Sequence, residues 1–124
     1  MEGERKETRP ARPEGAETRK RMLKPAEQQL IDLLREVGYG TLSNIVIRSG
    51  EVQLTPRPKA RRNFRLGRPE LGRHMRPIGE DFQLKAQHVD LIERLRRIHN
   101  GVVVSIDVQD GLPMNLVVEE DVIV

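Results

Sequence analysis

Residues 91–115 read LIERLRRIHNGVVVSIDVQDGLPMN, and the spacing of their apolar residues changes at Gly101. Before that glycine the apolar residues recur every three or four positions, which is typical of an amphipathic helix. After it they alternate along the chain as in a half-buried strand, and Asp110-Gly111 is a strong hairpin-turn signal. The stretch therefore predicts one helix followed by a β-hairpin.

The predicted helix begins near Asp81, a candidate N-cap, and its last turn precedes Gly101. The stripe that faces the core consists of Leu84, Leu91, Ile92, Leu95 and Ile98. Strict alternation along the strand predicts an inward face of Val102, Val104, Ile106 and Val108. The outward face then consists of Val103, Ser105, Asp107 and Gln109.

The same order of features occurs 61 residues earlier, where residues 30–54 read LIDLLREVGYGTLSNIVIRSGEVQL. Seven of the 25 aligned positions are identical: Leu30/Leu91, Ile31/Ile92, Leu34/Leu95, Arg35/Arg96, Gly40/Gly101, Ile45/Ile106 and Gly50/Gly111. Here the helix is predicted to begin at Pro25 and to end at Gly38 or Gly40. Its strand points Ile45 and Ile47 inward before a turn at Ser49-Gly50. The matches predict duplication of one helix–hairpin unit.

A helix on a single hairpin buries little apolar surface and is marginal in water. Two such units, joined through their strands, would bury both helical stripes against a shared sheet. We therefore predict an α+β fold. It is a two-layer sandwich in which duplicated helix-β-hairpin units form one antiparallel sheet with two helices on one face. Third short strands are expected at residues 63–66 and 121–124.

The formal net charge of +3 is divided unevenly along the chain. Residues 1–26 carry +3 and residues 55–80 carry +6, whereas residues 27–54 carry −2 and residues 81–124 carry −4. Both basic segments are also rich in proline, which favours an extended chain over a helix. The basic character therefore belongs to segments outside the predicted helix–hairpin units.

This pattern predicts a disordered basic arm over residues 1–23 and a single pseudo-twofold domain over residues 24–124. The domain would comprise copy one (25–54), an Arg/Pro-rich linker (55–80) and copy two (81–124).

The composition excludes several classes of function. The chain has no Cys, which removes disulfides, thiolate catalysis and Cys-ligated metal centres. Its 124 residues are too few for a large enzyme with a deep cleft. The charged N-terminus and the lack of a long apolar run indicate neither a signal peptide nor a transmembrane helix. We expect a cytoplasmic protein that does not bind membranes.

No catalytic, cofactor or metal site is predicted, so the chain is not expected to be an enzyme. The histidines are His74, His88 and His99, and their spacing matches no metal-binding pattern. The acidic run at 119–121 lacks the interleaved glycine of a hard-cation loop and is expected to be a solvated turn. The last helical turn carries Arg94, Arg96 and Arg97. These arginines complement the helix dipole as readily as they would form a basic ridge.

The first copy resembles the YezD-like family of small uncharacterised bacterial proteins. The matching residues are Leu30, Ile31, Leu34, Tyr39, Gly40, Ile45, Ile47, Gly50 and Val52, with Arg65-Leu66 after them. The resemblance covers about 40 residues of copy one and, more loosely, copy two. It implies a small bacterial cytoplasmic protein, and the family brings no activity or catalytic residue with it. The two units and the Arg/Pro-rich linker depart from the family pattern.

Arginine supplies 17 of the 22 basic residues, and its planar fork suits phosphate better than the lysine ammonium does. We predict a small non-enzymatic binding module that contacts an anionic partner, nucleic acid, through the arm and the linker. The predicted nucleic-acid-binding residues are Arg57, Lys59, Arg61, Arg62, Arg65, Arg68, Arg73 and Arg76. The alternative is a protein–protein interaction adaptor that binds through the open sheet face or an edge strand, where a homo-oligomer could also form.

Overall fold

A computed structural model of the chain describes residues 18–64, 66–67 and 80–122. Its two α-helices are α1 (Pro25–Val37) and α2 (Ala86–Arg96), and a 3₁₀ turn at Lys20–Met22 precedes α1. Its strands are β1 (Gly40–Ser43), β2 (Ile45–Arg48), β3 (Glu51–Gln53), β4 (Lys59–Arg62), β5 (Asn100–Gln109) and β6 (Leu112–Glu120).

The six strands form one antiparallel sheet around β5. On one side of β5, β1 and β2 lie end to end and both pair with it. β6 pairs with its other side along nearly the whole length of the strand. The sheet continues from β1 to β4 and from β2 to β3. The sheet therefore has β6 as one edge, and β3 and β4 share the other.

Both helices pack on one face of this sheet, because the buried residues of the helices and strands form a single core. Residues with no exposed surface are Leu30, Ile31, Leu34, Ile45, Ile47, Val103 and Ile106. Removing each such side chain from water contributes roughly 1.5–3 kcal/mol before the entropy cost of ordering the chain. The predicted α+β sandwich, with two helices on one face of an antiparallel sheet, is confirmed.

The prediction for the two faces of β5 is wrong at its start. Val103 is buried and Val104 is 41% exposed, because the pairing of β5 with β6 shifts by one residue at Val104. This bulge puts Val103 and Ile106, three residues apart, on the core side. Ile106 and Val108, beyond the bulge, point inward as predicted.

The strand pair opposite this bulge is also interrupted. Asn44 separates β1 from β2 and has a positive φ of 67°. Leu42 and Ile45 on either side of it are both buried although they are three positions apart, where strict alternation would put them on opposite faces. β5 and the β1–β2 pair therefore both break the strict alternation of inward and outward residues, and they do so at positions that face each other in the sheet. Their apolar residues stay on the core side as a result.

The beginning of α1 is predicted correctly and that of α2 is not. α1 begins at Pro25 and ends before Gly38 as expected. α2 begins at Ala86, where His88 Nδ1 accepts a hydrogen bond from the Lys85 N–H (3.1 Å). Asp81 instead accepts hydrogen bonds from residues of the N-terminal segment and is not an N-cap.

Residues 18–23, predicted to belong to a disordered arm, pack on the body of the domain. The Lys20 N–H donates to the Phe82 carbonyl (3.0 Å), and the side chains of Lys20 and Leu23 are buried. A short strand lies at 59–62, before the one expected at 63–66, and β6 ends at Glu120 with residues 121 and 122 in no strand. Residue 65 and residues 123–124 of these two expected strands lie outside the described residues. Residues 1–17 of the predicted arm and 68–79 of the linker lie outside the described residues.

Several features recur at the offset of 61 residues. Each helix begins at the matching position, Pro25 or Ala86. The turn at Ser49-Gly50 has φ values of 52° and 76°, and the turn at Asp110-Gly111 has 53° and 73°. The common origin of the two halves stays a prediction, which these matches support.

The turn glycines also make matching contacts across the molecule. The Gly50 N–H donates to the His99 carbonyl (3.3 Å), and the Gly111 N–H donates to the Gly38 carbonyl (2.9 Å). Each acceptor lies just after a helix, and each donor lies in the hairpin turn of the other half. The halves are therefore joined by a reciprocal pair of backbone hydrogen bonds.

Candidate nucleic-acid interface

The structure describes four of the eight predicted nucleic-acid-binding residues, and all four lie in or just before β4. They are Arg57, Lys59, Arg61 and Arg62. The other four, Arg65, Arg68, Arg73 and Arg76, lie outside the described residues. The described part of the predicted interface is therefore one basic edge strand and the loop before it.

The pairing of β4 with β1 fixes which way these side chains point. Ala60 lies opposite Leu42, which is buried on the core side. Directly opposed residues share a face of the sheet and neighbours along a strand alternate. Lys59 and Arg61 therefore point to the face that the helices leave uncovered, and both are exposed.

Gly40 allows β4 to approach β1 closely. It lies opposite Arg62 with a φ of 154°, and a Cβ at this position would overlap the carbonyl oxygen of Arg61. A side chain here would thus push β4 away from the sheet. The basic strand depends on this glycine for its place.

The cations of this edge differ from most of those on the body. Within the described residues, no carboxylate forms an ion pair with Arg57, Lys59 or Arg61, and all three are exposed. By contrast, a carboxylate lies within 4 Å of Arg94 and of Arg96. Charges that face water without a counter-charge attract anions, with a strength that salt reduces.

Two of the three aromatic side chains lie at one end of β4. Phe64 follows the strand and is 55% exposed, and the guanidinium of Arg62 lies 5.0 Å from its ring centroid. Tyr39 precedes β1 and is 39% exposed. The start of β1 lies beside the end of β4 because these strands are antiparallel. The third aromatic, Phe82, is buried in the core.

The opposite edge of the sheet is acidic at its end. Glu119 and Glu120 close β6 and are exposed, and Asp121 follows them. The Asp121 N–H donates to the Asn100 carbonyl (3.1 Å). The sheet thus has a basic edge strand and an acidic one, with β5 and β1 between them.

The uncovered sheet face is mixed in character. Val46 and Val102 face each other on it and are half-buried, while Val117 is 51% exposed. Thr41 lies opposite Asp107 on the same face, nearer to β4. The valines therefore form a small apolar area that is bordered by polar residues.

An ion pair between a buried carboxylate and an arginine that reaches the surface joins the two helices. The Glu27 carboxylate is 2% exposed and accepts two hydrogen bonds from Arg96, at 2.8 and 2.6 Å. Burial alone would raise the pKa of Glu27, but the hydrogen bonds from Arg96 and the Lys24 N–H, with the nearby positive charges, lower it. The hydrogen bond with Glu27 raises the pKa of Arg96 against the effect of burial. Both groups are therefore charged and serve stability.

A second set of ion pairs fastens the N-terminal segment. Lys20 Nζ lies 2.8 Å from Asp32 and donates to the Glu80 carbonyl (3.2 Å). Arg19 Nε donates to Asp81 (2.8 Å), and chiefly this hydrogen bond lowers the pKa of Asp81. Sequence periodicity gives no signal for a buried lysine, since its partners come from distant parts of the chain.

The structure describes two of the three histidines, His88 and His99. His88 is buried, and its Nε2 lies 3.4 Å from the Gly111 carbonyl while its Nδ1 accepts from Lys85. His99 is exposed, and His74 lies outside the described residues. Among the described residues, no three His, Asp or Glu side chains are grouped so that they could hold a metal ion.

Neither helix in the described ranges has the length and apolar character that crossing a membrane requires.

The comparisons with protein-family models, with curated proteins and with solved structures give no match for this chain. The resemblance to the YezD-like family stays a prediction.

Proposed function

We propose that this protein is a non-enzymatic cytoplasmic module that binds nucleic acid through the edge strand β4 and the loop before it. The observation that carries the proposal is that three exposed cations, Arg57, Lys59 and Arg61, lie together on one edge strand and the loop before it, and none of them forms an ion pair with a described carboxylate. The remaining five arginines of the 55–80 segment add to the same positive region along the chain.

The chemistry of the set favours phosphate as its ligand. Lys59 and Arg61 point to the same side of an extended strand, about 7 Å apart, so they present charge in a row rather than as a single site. Phosphates along a nucleic-acid strand also form a row of negative charges. Such contacts bind without reading base sequence, and their affinity depends on salt.

The test is a fluorescence anisotropy titration of labelled nucleic acid at two salt concentrations. If about four phosphates are contacted, the affinity should fall about 100-fold between roughly 50 and 200 mM salt. Changing Arg57, Lys59 and Arg61 together to Ala should weaken binding at low salt and reduce the slope of log K against log salt by about 2–3.

The matched control removes the same charge elsewhere. Arg48, Lys85 and Arg97 are exposed and form no ion pair with a described carboxylate. Their triple change to Ala should leave most of the affinity and of the salt slope in place. Absence of binding at 50 mM salt overturns the proposal, and an equal loss in both triple variants reduces it to an effect of net charge.

A second candidate is a protein-interaction adaptor, and the length of β6 favours it. β6 is a nine-residue edge strand, and such an edge is a template for an added strand. A partner held there would survive nuclease treatment and be lost on Val117→Lys, whereas a partner bridged by nucleic acid would be lost on nuclease treatment. This outcome separates the two functions.

A further inference from the structure

We propose that the ligand of the β4 edge is single-stranded nucleic acid, with bases stacked on Phe64 and Tyr39 while phosphates contact the neighbouring cations. This inference rests on the proposed function and narrows its ligand. The aromatic faces at the end of β4 are what distinguish a single strand from a duplex, because pairing and stacking hide the base faces of a duplex.

The exposure of these aromatics needs a reason. The chain has three aromatic residues, and only Phe82 is in the core. Phe64 is 55% exposed and Tyr39 is 39% exposed, although burying an aromatic ring is among the larger stabilising contributions available to a small domain. Both therefore leave apolar surface in water at the place where the exposed cations lie.

The sheet brings the two rings to the same end of β4. Gly40 pairs with Arg62, so Tyr39, which precedes the first residue, and Phe64, which follows the second, flank the same end of the strand pair. A nucleic-acid strand lying along β4 would meet Arg57, Lys59 and Arg61 first and the aromatics next. A positively charged surface combined with aromatic faces is typical of grooves that bind single strands.

Arg62 prepares Phe64 for stacking. Its guanidinium lies 5.0 Å from the ring centroid, within the range of a cation–π contact. A ring that is already held in place loses less conformational freedom when a base stacks on it. Arg62 therefore acts as a positioning residue for the aromatic, in addition to its charge.

The experiment compares three labelled ligands of equal length at about 50 mM salt: a 12-nucleotide deoxythymidine strand, a 12-base-pair duplex and a 12-residue abasic strand. The intact protein should bind the thymidine strand at least about tenfold more tightly than the duplex or the abasic strand. Binding of the duplex or the abasic strand as tight as that of the thymidine strand leaves the proposed function standing and overturns this inference.

Variants of Phe64 isolate the stacking. Phe64→Ala should weaken thymidine-strand binding about 5- to 100-fold with an unchanged salt slope, and should leave abasic-strand binding unchanged. Phe64→Trp should restore the affinity, since stacking needs an aromatic face and not this particular ring. Leu66→Ala is the matched control, because Leu66 is 93% exposed and apolar but cannot stack.

The outcomes separate the two proposals. If no ligand binds at 50 mM salt, the proposed function fails. If the thymidine strand binds and Phe64→Ala has no more effect than Leu66→Ala, the proposed function stands and the stacking role is wrong. A loss for Phe64→Ala that appears equally with the abasic strand also overturns stacking, because that ligand has no bases.

Discussion

The two halves of the molecule, α1 to β4 and α2 to β6, are alike in their helices and turns and differ most in their last strands. β6 runs for nine residues along β5, whereas its counterpart is divided into β3 and β4. Near the turns the pairs Ile47–Val52 and Val108–Pro113 match at the offset of 61. Farther along, Gly40 pairs with Arg62, three residues beyond the position that the pair Gly101–Glu120 predicts.

Features that occur in both halves build the core, whereas features that occur in only one half form the candidate interface. The helices, turns and central strands recur in both halves and build the core. The loop at 54–58 and the basic strand β4 occur only in the first half of the described residues, and they carry Arg57, Lys59 and Arg61. The candidate interface therefore lies where the two halves diverge.

The halves also differ at the third residue of each helix, which is Glu27 in α1 and His88 in α2. Glu27 in α1 binds Arg96 of the other half through two hydrogen bonds. At the matching positions, His88 meets the edge of the Phe82 ring, and Arg35 lies 3.9 Å from the centroid of the same ring. One contact between the halves is therefore an ion pair, and its counterpart is built around an aromatic ring.

The largest expected effect comes from breaking the ion pair. Glu27→Ala should lower the free energy of unfolding by about 3 kcal/mol, because it removes the hydrogen-bonded partner of Arg96 and the acceptor for the Lys24 N–H. His88→Ala should cost about 2 kcal/mol through lost packing and capping. Urea denaturation measures both, and Glu27→Gln is the control that keeps the acceptor without the charge. A smaller cost for Glu27→Ala than for His88→Ala would contradict this ranking.

The two matching glycines should separate stability from binding. A Cβ on Gly101 would lie 2.5 Å from the Glu119 carbonyl oxygen of the long strand β6, so Gly101→Ala should cost about 2 kcal/mol. Gly40→Ala would bring its Cβ into the Arg61 carbonyl oxygen and would strain a φ of 154°, so it should also cost at least about 2 kcal/mol although β4 has only four residues. Because Gly40→Ala moves the cations of β4, it should weaken nucleic-acid binding more than Gly101→Ala does. Thermal unfolding and anisotropy titration of both variants check this, and unchanged binding by Gly40→Ala would contradict it.

The smallest expected effect is the response to acid. The lowered pKa values of Glu27 and Asp81 mean that their stabilisation is fully present above their ordinary values of 4.5 and 3.8 and is lost as the pH falls through the lowered values. Urea midpoints should therefore fall between about pH 5 and pH 3. The urea midpoint should fall less in Glu27→Gln, which has no carboxyl to protonate at this position. If the midpoint of this variant falls as much as that of the unchanged protein, groups other than Glu27 cause the acid response.

Much of the fold could be predicted from the sequence because it depends on local patterns. Pro25, the apolar stripes and the two turn dipeptides fixed the helices and hairpins. The bulge at Val104 could not be predicted, since three consecutive valines fit either face until the neighbouring strand sets the register. The prediction of Asp81 as an N-cap is wrong because its partner Arg19 lies 62 residues away in the chain.

The candidate site was predicted in composition and not in geometry. The arginines of the linker indicated an anionic partner, but their arrangement on a strand depends on Gly40 and on pairing with β1. The sequence predicts Phe64 within a strand at 63–66, whereas β4 ends at Arg62. Its proximity to Tyr39 follows from the sheet alone, as these residues lie 25 positions apart in the chain.

The reciprocal hydrogen bonds of Gly50 and Gly111 have a consequence for cooperativity. The Gly50 amide keeps its acceptor only while the other half holds the His99 carbonyl in place, and the Gly111 amide depends in the same way on the Gly38 carbonyl. Local opening of one half therefore exposes donors in both, so the halves should unfold in a single step. In native-state hydrogen exchange, the amides of Gly50 and Gly111 should exchange together with those of β5, at the rate set by global unfolding.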